Sequence, residues 1–307
     1  MKTQIFLILG PTASGKSKFA LSLAKKLNGE IINADSMQVY SDLNILSARP
    51  SINDQKKINH HLYGFVKGNI RFNTHNWCKE ASKKINYLDD KNITPILVGG
   101  TGLYIGSLIN GMVSIPSIPE EVKKESNKIL LNIGKENFFN LVKELDSESM
   151  NDISQNDIQR IRRIWEVNFY TKKKFSEWKK NNNKKLINLK NYKILLFLPH
   201  RNENYKRVDL RTLMMIQNGA IQEVKNLLKL NYNDTLPIMK AHGVPEIRSY
   251  LNNQISIEEC VSKIQQVTRN YVKRQHTWWR SSNLKIFKKF DQFPDEIDIN
   301  SINLDLN

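Results

Sequence analysis

The sequence predicts an α/β fold, a parallel sheet flanked by helices and carrying a helical insertion. Three observations predict it. Over the first hundred residues, short apolar runs alternate with segments of helical periodicity. Glycines stand at the ends of those runs. From about Pro119 to Asn183 no buried-strand pattern occurs, and the next such run, "YKILLFLP", begins at Tyr192.

"QIFLIL" is short and wholly apolar, as a strand covered on both faces must be. "SKFALSLAKKL" then places apolar residues at helical spacing. "GEIINADS" reads as a second strand ending at Asp35, "NWCKEASKKINYLDD" as a helix, and "ITPILVGG" as a third buried strand. The segment after "NGMVSIPSIP" is helical, charged and Asn-rich, and the chain is expected to rejoin the sheet near Lys190. The expected division is therefore a core of residues 1–115 and 190–307 with a helical insertion at 116–189. "NYKRVDLRTLMMIQNG" reads as a helix capped at Gly219. Ser256 and Glu259 have capping-box spacing and open a long helix through "VSKIQQVTRNYVKRQHTWW". Its apolar positions include Val261, Ile264, Val267, Tyr271 and Trp278, and Arg269, Lys273, His276 and Arg280 are expected to line one face. The acidic tail from Gln292 onward is expected to be peripheral.

The bulk numbers exclude several classes. A chain of 307 residues with 40% hydrophobic and 25% charged residues has the composition of a globular protein with one or two domains. No apolar run approaches a membrane span. The N-terminus is no secretory signal, because its apolar run is five residues long and the motif described below follows at once. Cys78 and Cys260 form no CxxC pair and read as structural thiols of a reducing compartment, the cytoplasm. The histidines make no metal motif, and the pair His60–His61 reads as structural.

The net charge of +17 is concentrated. Residues 156–193 carry twelve Lys and Arg against three acids, and residues 267–289 carry seven against none. Charge clustered in this way points to a polyanion partner, the alternative being solvated Lys-rich helix faces.

The chemistry is concentrated at strand ends. "GPTASGKS", Gly10 to Ser17, has the spacing G-x-x-x-x-G-K-S between a strand and a helix. Backbone N–H groups of Gly10, Pro11-Thr12, Ala13, Ser14 and Gly15 would face phosphate oxygens, Pro11 itself having none to give. Lys16 adds a point charge, and Ser17 a hydroxyl for Mg²⁺. The loop leaves open whether the phosphate ligand is a nucleotide. Asp35 in "NADSMQVY" stands where α/β sheets place ligands. It could help hold Mg²⁺, act as a general base or cap a helix. "VGGTGLY" brings Thr101 to the same edge. Arg160 with Arg163, and Arg207 with Arg211, share helix faces and could each clamp phosphate.

Taken together, "GPTASGKS", "NADSMQVY", "HHLYGF", "VGGTGLY", "NDIQRIRR", the helix bearing Arg201, Arg207, Arg211, Gly219, Glu223 and Val224, "KAHGVPEI" and "KRQHTWWR" resemble the bacterial tRNA dimethylallyltransferase (tRNA isopentenyltransferase) family over nearly the whole chain. The resemblance implies a P-loop NTPase-like fold turned to alkyl transfer. A dimethylallyl group would pass from dimethylallyl diphosphate to N6 of the adenosine just 3′ of the anticodon, in tRNAs reading codons that begin with U. Diphosphate would leave, Mg²⁺ would be the cofactor, and no ATP would be hydrolysed. It further implies Asp35 as general base, Thr101, Lys16 and Arg211 at the reacting centre, and Arg207 near the diphosphate. The tRNA anticodon stem-loop would be met by Asp35, Ser36, Met37, Gln38 and Thr101, by Lys123, by Gln159, Arg160, Ile161, Arg162 and Arg163, and by Lys240, Ala241, His242, Gly243, Val244 and Pro245. His242 and Pro245 depart from the residues common around that glycine. A cytoplasmic monomer without membrane contact is expected. A small-molecule P-loop kinase would explain the loop, Asp35 and the arginine pairs but not the two basic windows. A non-catalytic RNA-binding protein would leave Asp35 without a task.

Overall fold

Five consecutive apolar residues, Ile5–Leu9, form strand β1, and every one of them is fully buried. Such a run is stable only between two neighbouring strands with helices over both faces. The computed structural model describes residues 3–113, 115–181, 183–189 and 191–304. Contacts within the chain divide it into two units, 1–109 with 187–307, and 110–186.

In the first unit β1 leads into helix α1 (Lys16–Lys26), then β2 (Gly29–Asn33), α2 (Ile52–Lys57), β3 (His60–His61), α3 (Thr74–Asp90), β4 (Thr94–Gly99) and α4 (Gly102–Asn110). The second unit holds β5 (Met112–Val113), α5 (Glu120–Leu145), α6 (Ser147–Met150), α7 (Ile158–Thr171), α8 (Phe175–Asn181) and β6 (Asn183–Lys184). The chain then returns through β7 (Tyr192–Phe197), α9 (Arg201–Gln217), α10 (Ala220–Leu228), α11 (Val244–Leu251), α12 (Ile257–Ser281) and β8 (Lys288–Phe290). Lys190, where the return to the sheet is expected, lies outside the described residues.

The sheet order is β3-β2-β4-β1-β7-β8, parallel throughout. Leu7 pairs with Leu97 on one side and Ile194 on the other. The carboxyl ends of β2, β4, β1 and β7 therefore stand side by side, and the residues that follow them converge on one edge. On one face of the sheet, Phe19, Ala20 and Leu23 of α1 pack with Phe6, Ile96, Val98 and Phe197. Trp77 of α3 is fully buried, donates its indole N–H to the Asn33 carbonyl at 2.8 Å and stacks on Tyr104.

Four expectations are corrected. First, β2 ends at Asn33, so Asp35 lies two residues beyond the strand rather than at its last position. Second, the short strands β3 and β8 add to the sheet edges. Neither is among the strands that the sequence predicts; an edge strand needs only one neighbour and tolerates the lysines Lys288 and Lys289. Third, the acidic tail is not peripheral. Phe293, Ile302 and Leu304 are buried, and Ile302 and Leu304 join the core around α1. Spaced isoleucines bury one side of the segment while its acids face outward. Fourth, the basic face of α12 is interrupted. His276 is 2% exposed, burial and then Arg280 push it down to about 4, and neither ring nitrogen has a partner among the described residues. At that position the helix faces the core, together with Val272, Gln275 and Trp279.

The 110–186 unit has its own core of Phe138, Val142, Met150, Ile161, Ile164 and Trp165. Its α5 is broken at Gly134, where φ is 78° and ψ 168°. Arg162 ties α7 to α5 by donating to the Lys123 carbonyl at 2.7 Å and the Ser126 hydroxyl at 3.0 Å, and Ser126 also donates to Glu166 at 2.9 Å.

Candidate active site

The loop between β1 and α1 requires unusual backbone. Gly10 has φ 149°, and a Cβ there would lie 2.2 Å from the Phe197 carbonyl oxygen of β7. Gly99, at the end of β4, would clash in the same way with the Ala34 carbonyl at 2.1 Å. These two glycines let neighbouring strand ends close to the separation that the site needs. Ser14 and Lys16 are buried, and Ser17 is exposed. The Lys16 ammonium donates to the Pro11 carbonyl and to the Ser14 hydroxyl. Burial pushes Lys16 down to about 7, with Asp35 opposing and Arg211 adding to the fall.

Asp35 sits in a tight turn. Its backbone N–H donates to Asn33 Oδ1 at 2.8 Å, and its own Oδ1 accepts from Met37 N–H at 2.8 Å and Gln38 N–H at 3.3 Å. One carboxylate oxygen therefore caps the turn, and Oδ2 has no hydrogen-bond partner among the described residues. Thr101 Oγ1 accepts from Ser36 N–H at 3.1 Å and fixes the same turn from β4. Tyr271 of α12 lines the same cavity as Asp35, and its phenol is raised by burial first and Asp35 second. Its ring meets His242 edge-on at 5.1 Å. Burial and then Arg274 hold His242 below the ordinary imidazole range.

Two cavities meet here. One, of 220 Å³, is walled by the loop from Thr12 to Lys18 with Gln38, Gly99 and Gly100. The other, of 180 Å³, is lined by apolar groups such as Met37, Leu46, Val208, Met215 and Ile264, with Tyr271 and His242. Thr12, Asp35 and Arg211 border both. A polyanion fits the first and an apolar group the second, with one free carboxylate oxygen at the junction.

Arg211 is enclosed and donates to Thr12 Oγ1 at 2.7 Å. Burial lowers it and Asp35 opposes, but a guanidinium stays charged in either case. Arg207, one turn earlier on α9, does not border the loop cavity and instead grips Asp295 through two bonds of 2.8 and 2.9 Å. Of Lys240–Pro245, the first three residues line the apolar cavity, while Gly243 and Val244 turn into the core and Pro245 is exposed. Of Gln159–Arg163, Gln159 and Arg160 are exposed, Ile161 is fully buried, and Arg162 is occupied by its bonds to α5. Arg163 is half-buried, and Lys123 pairs with Glu120 at 3.0 Å.

Sequence reasoning missed the residues that hold the loop. Gln275 accepts from Thr12 N–H at 2.8 Å and donates to the Gly100 carbonyl at 2.9 Å, so it bridges the ends of β1 and β4. Asn204 donates to the Thr12 carbonyl at 3.0 Å. Glu223 accepts from the N–H groups of Asn44, Ile45 and Leu46 at 2.6 to 3.0 Å, and so sets the segment that walls the apolar cavity. Gln275 lies within the element "KRQHTWWR", but its task becomes visible only once α12 is known to face the core. Among the described residues, no cluster of three His, Cys, Asp or Glu able to hold a metal occurs, and no helix is long and apolar enough to cross a membrane.

Comparison with known proteins gives the same site a family. The tRNA dimethylallyltransferase of Pelagibacter ubique (strain HTCC1062) is 41% identical over 308 residues, covering 99% of this chain and 98% of that protein. The tRNA dimethylallyltransferase of Bartonella henselae is 42% identical over 277 residues, covering 90% and 95%. Among solved structures, the tRNA delta(2)-isopentenylpyrophosphate transferase of Staphylococcus epidermidis superposes with a TM-score of 0.67 at 29% identity, covering 97% of this chain and 95% of that one. A eukaryotic dimethylallyltransferase acting on tRNA gives a TM-score of 0.76 at 28% identity, covering 91% and 70%. The parallel sheet with its loop thus has the P-loop NTPase-like arrangement of these transferases. The model of the IPP transferase family matches residues 38–282, and with relatives of this identity along almost the entire length, the chain belongs to that family.

Proposed function

We propose that the protein is a tRNA dimethylallyltransferase. As a cytoplasmic monomer it moves the dimethylallyl group of dimethylallyl diphosphate to N6 of the adenosine just 3′ of the anticodon, in tRNAs reading codons that begin with U, and releases diphosphate. The observation that carries this reading is the meeting of a phosphate-loop cavity and an apolar cavity at Thr12, Asp35 and Arg211. A kinase would need a second polar site there, whereas an isoprenoid and a purine both need an apolar one.

The N6 lone pair attacks the allylic carbon as the carbon–oxygen bond breaks. The electron pair of that bond goes to the diphosphate, and the proton on nitrogen goes to Asp35 Oδ2. The Met37 and Gln38 N–H groups hold the other oxygen of Asp35, which fixes the direction of the free one. Charge growing on the diphosphate is met by the loop amides of Gly10–Ser17, by Lys16 and by Arg211, all preorganised in an enclosed site. Ser17 fits the magnesium role, because it lines the loop cavity and its hydroxyl has no hydrogen-bond partner among the described residues. With no acidic cluster beside it, that hydroxyl and the diphosphate would hold Mg²⁺ together. The ion would supply charge neutralisation on the leaving group. Asp35–Gln38, Thr101 and Lys240–Pro245 receive the extruded base, the last segment through Lys240, Ala241 and His242, because Gly243 and Val244 are buried. The 110–186 unit contacts the anticodon stem through Lys123 and Gln159–Arg163, with the side chain of Ile161 left to its own core.

Incubating the purified chain with Mg²⁺, dimethylallyl diphosphate and unmodified transcript tests the reading. A donor-dependent mass gain of one isopentenyl unit on the adenosine is expected. Unaltered RNA, with ATP-dependent phosphorylation of a small acceptor, would instead establish the kinase.

A further inference from the structure

The acidic C-terminal segment starts its course beside the phosphate loop. Gly15, with φ 84°, is the residue at which the loop becomes α1. A Cβ built on it would meet Pro294 Cδ at 3.2 Å and Asp295 Oδ1 at 3.5 Å, so Phe293–Asp295 lies directly against this junction. The segment is tied down on both sides of that contact. Arg207 binds both oxygens of Asp295, and its guanidinium lies 3.4 Å from the centroid of the Phe293 ring. Further along, Lys26 of α1 donates to the Ile299 carbonyl at 3.2 Å, Lys193 of β7 donates to the Leu304 carbonyl, and Ile302 and Leu304 are buried.

The placement of charge is specific. Gly15 borders the loop cavity, so a carboxylate against it acts on any anion bound there. Left bare, Asp295 would repel that anion. Paired with Arg207, whose charge it shares at partial exposure, it is neutralised. Arg211 borders the loop cavity and Arg207 does not.

We propose that Phe293–Asp295 is a strap that fixes the junction of the phosphate loop with α1, and that Arg207 is a positioning residue that anchors and neutralises the strap instead of touching diphosphate. The proposal rests on the reading of the loop as a diphosphate site, and it assigns the arginine pair of α9 two different tasks.

The test compares Arg207→Ala, Asp295→Asn and the double variant in the full chain. Calorimetry of inorganic diphosphate with Mg²⁺ and the donor KM and kcat are the readouts. Arg207→Ala is expected to weaken diphosphate binding and raise the donor KM by about three- to tenfold, with kcat little changed, because it leaves a bare, partly exposed carboxylate beside the anion. Adding Asp295→Asn is expected to restore most of that loss. A double variant as weak as Arg207→Ala, or weaker, is the behaviour of a lost diphosphate ligand and overturns the proposal. Hydrogen exchange over the peptide from Thr12 to Phe19 decides the strap independently of any ligand. Faster exchange in Arg207→Ala supports it, and unchanged exchange overturns it. Wild-type chain that leaves RNA unaltered would end the proposed function, yet the exchange measurement would still decide the strap.

Discussion

Lys16 and Arg211 in the sheet unit are enclosed, and each has fixed partners on the phosphate loop. In the 110–186 unit, by contrast, Lys172, Lys174 and Lys179 are exposed, and Lys172 and Lys179 merely lie over the rings of Phe169 and Phe175. On the proposed function the same residue types would serve two ends. In the sheet unit a few charges in an enclosed cleft would act at short range on developing charge, where each is worth far more than in bulk solvent. In the helical unit many solvated charges would act collectively on a polyanion, where each contributes little and salt screens it.

The largest effect is expected on the enclosed side. Asp35→Ala should retain tRNA binding and lose about 10²- to 10⁴-fold in kcat, since it removes the proton acceptor. Because Asp35 also caps the turn at Met37, Asp35→Asn separates the two tasks: it keeps an acceptor for the cap and abolishes the base. Single-turnover rates of the two variants should fall together, and a near-normal rate for Asp35→Asn would reduce Asp35 to a cap.

On the exposed side, neutralising Lys173, Lys174, Lys179 and Lys180 should weaken tRNA binding by about tenfold or more and flatten its salt dependence by roughly 0.7 to 0.9 in log–log slope per lost phosphate contact. Lys180 should matter least of the four, because Glu148 already pairs with it at 2.7 Å. Filter binding across a salt series measures this, and an unchanged slope would shift the RNA to the other basic window, residues 267–289.

The smallest effect sharpens the enclosed side. Lys16 has its pKa at about 7, below the ordinary 10.5, so its ammonium is fully present only at lower pH. Diphosphate binds the ammonium form, so affinity should hold below about 7 and fall by up to tenfold per pH unit above it, with proton uptake on binding. Folding stability should run the other way. Between about 7 and 10.5 the unfolded lysine holds the proton that the folded one has lost, so Lys16 contributes stability that rises with pH across that window. Calorimetry of diphosphate in two buffers of different ionisation enthalpy measures the uptake, and its absence at pH 8 would mean that Lys16 stays charged.

Much of this site can be read from the chain alone. "GPTASGKS", Asp35 and "VGGTG" follow runs that can only be buried parallel strands, and such strands must present their carboxyl ends together. Arg207 and Arg211 cannot be told apart in that way. Their spacing puts them on one helix face, but Asp295 claims the first and Thr12 the second from positions far away in sequence. The tail departs from expectation for a related reason. Its acids suggest a solvated end, yet Ile297, Ile299, Ile302 and Leu304 recur on the side that α1 and β7 can cover.

What the sequence by itself determined is therefore local. It set the strands, the loop backbone that its glycines permit, and the concentration of positive charge, because periodicity, steric freedom and composition act within a few residues. The tertiary structure alone decided which groups hold the loop: Gln275, Asn204 and Arg211 on Thr12, and Pro294 on Gly15. Hydrogen bonds and contacts depend on distance in space, and only the packing of α9, α12 and the tail against the sheet edge brings residues that are hundreds of positions apart within reach.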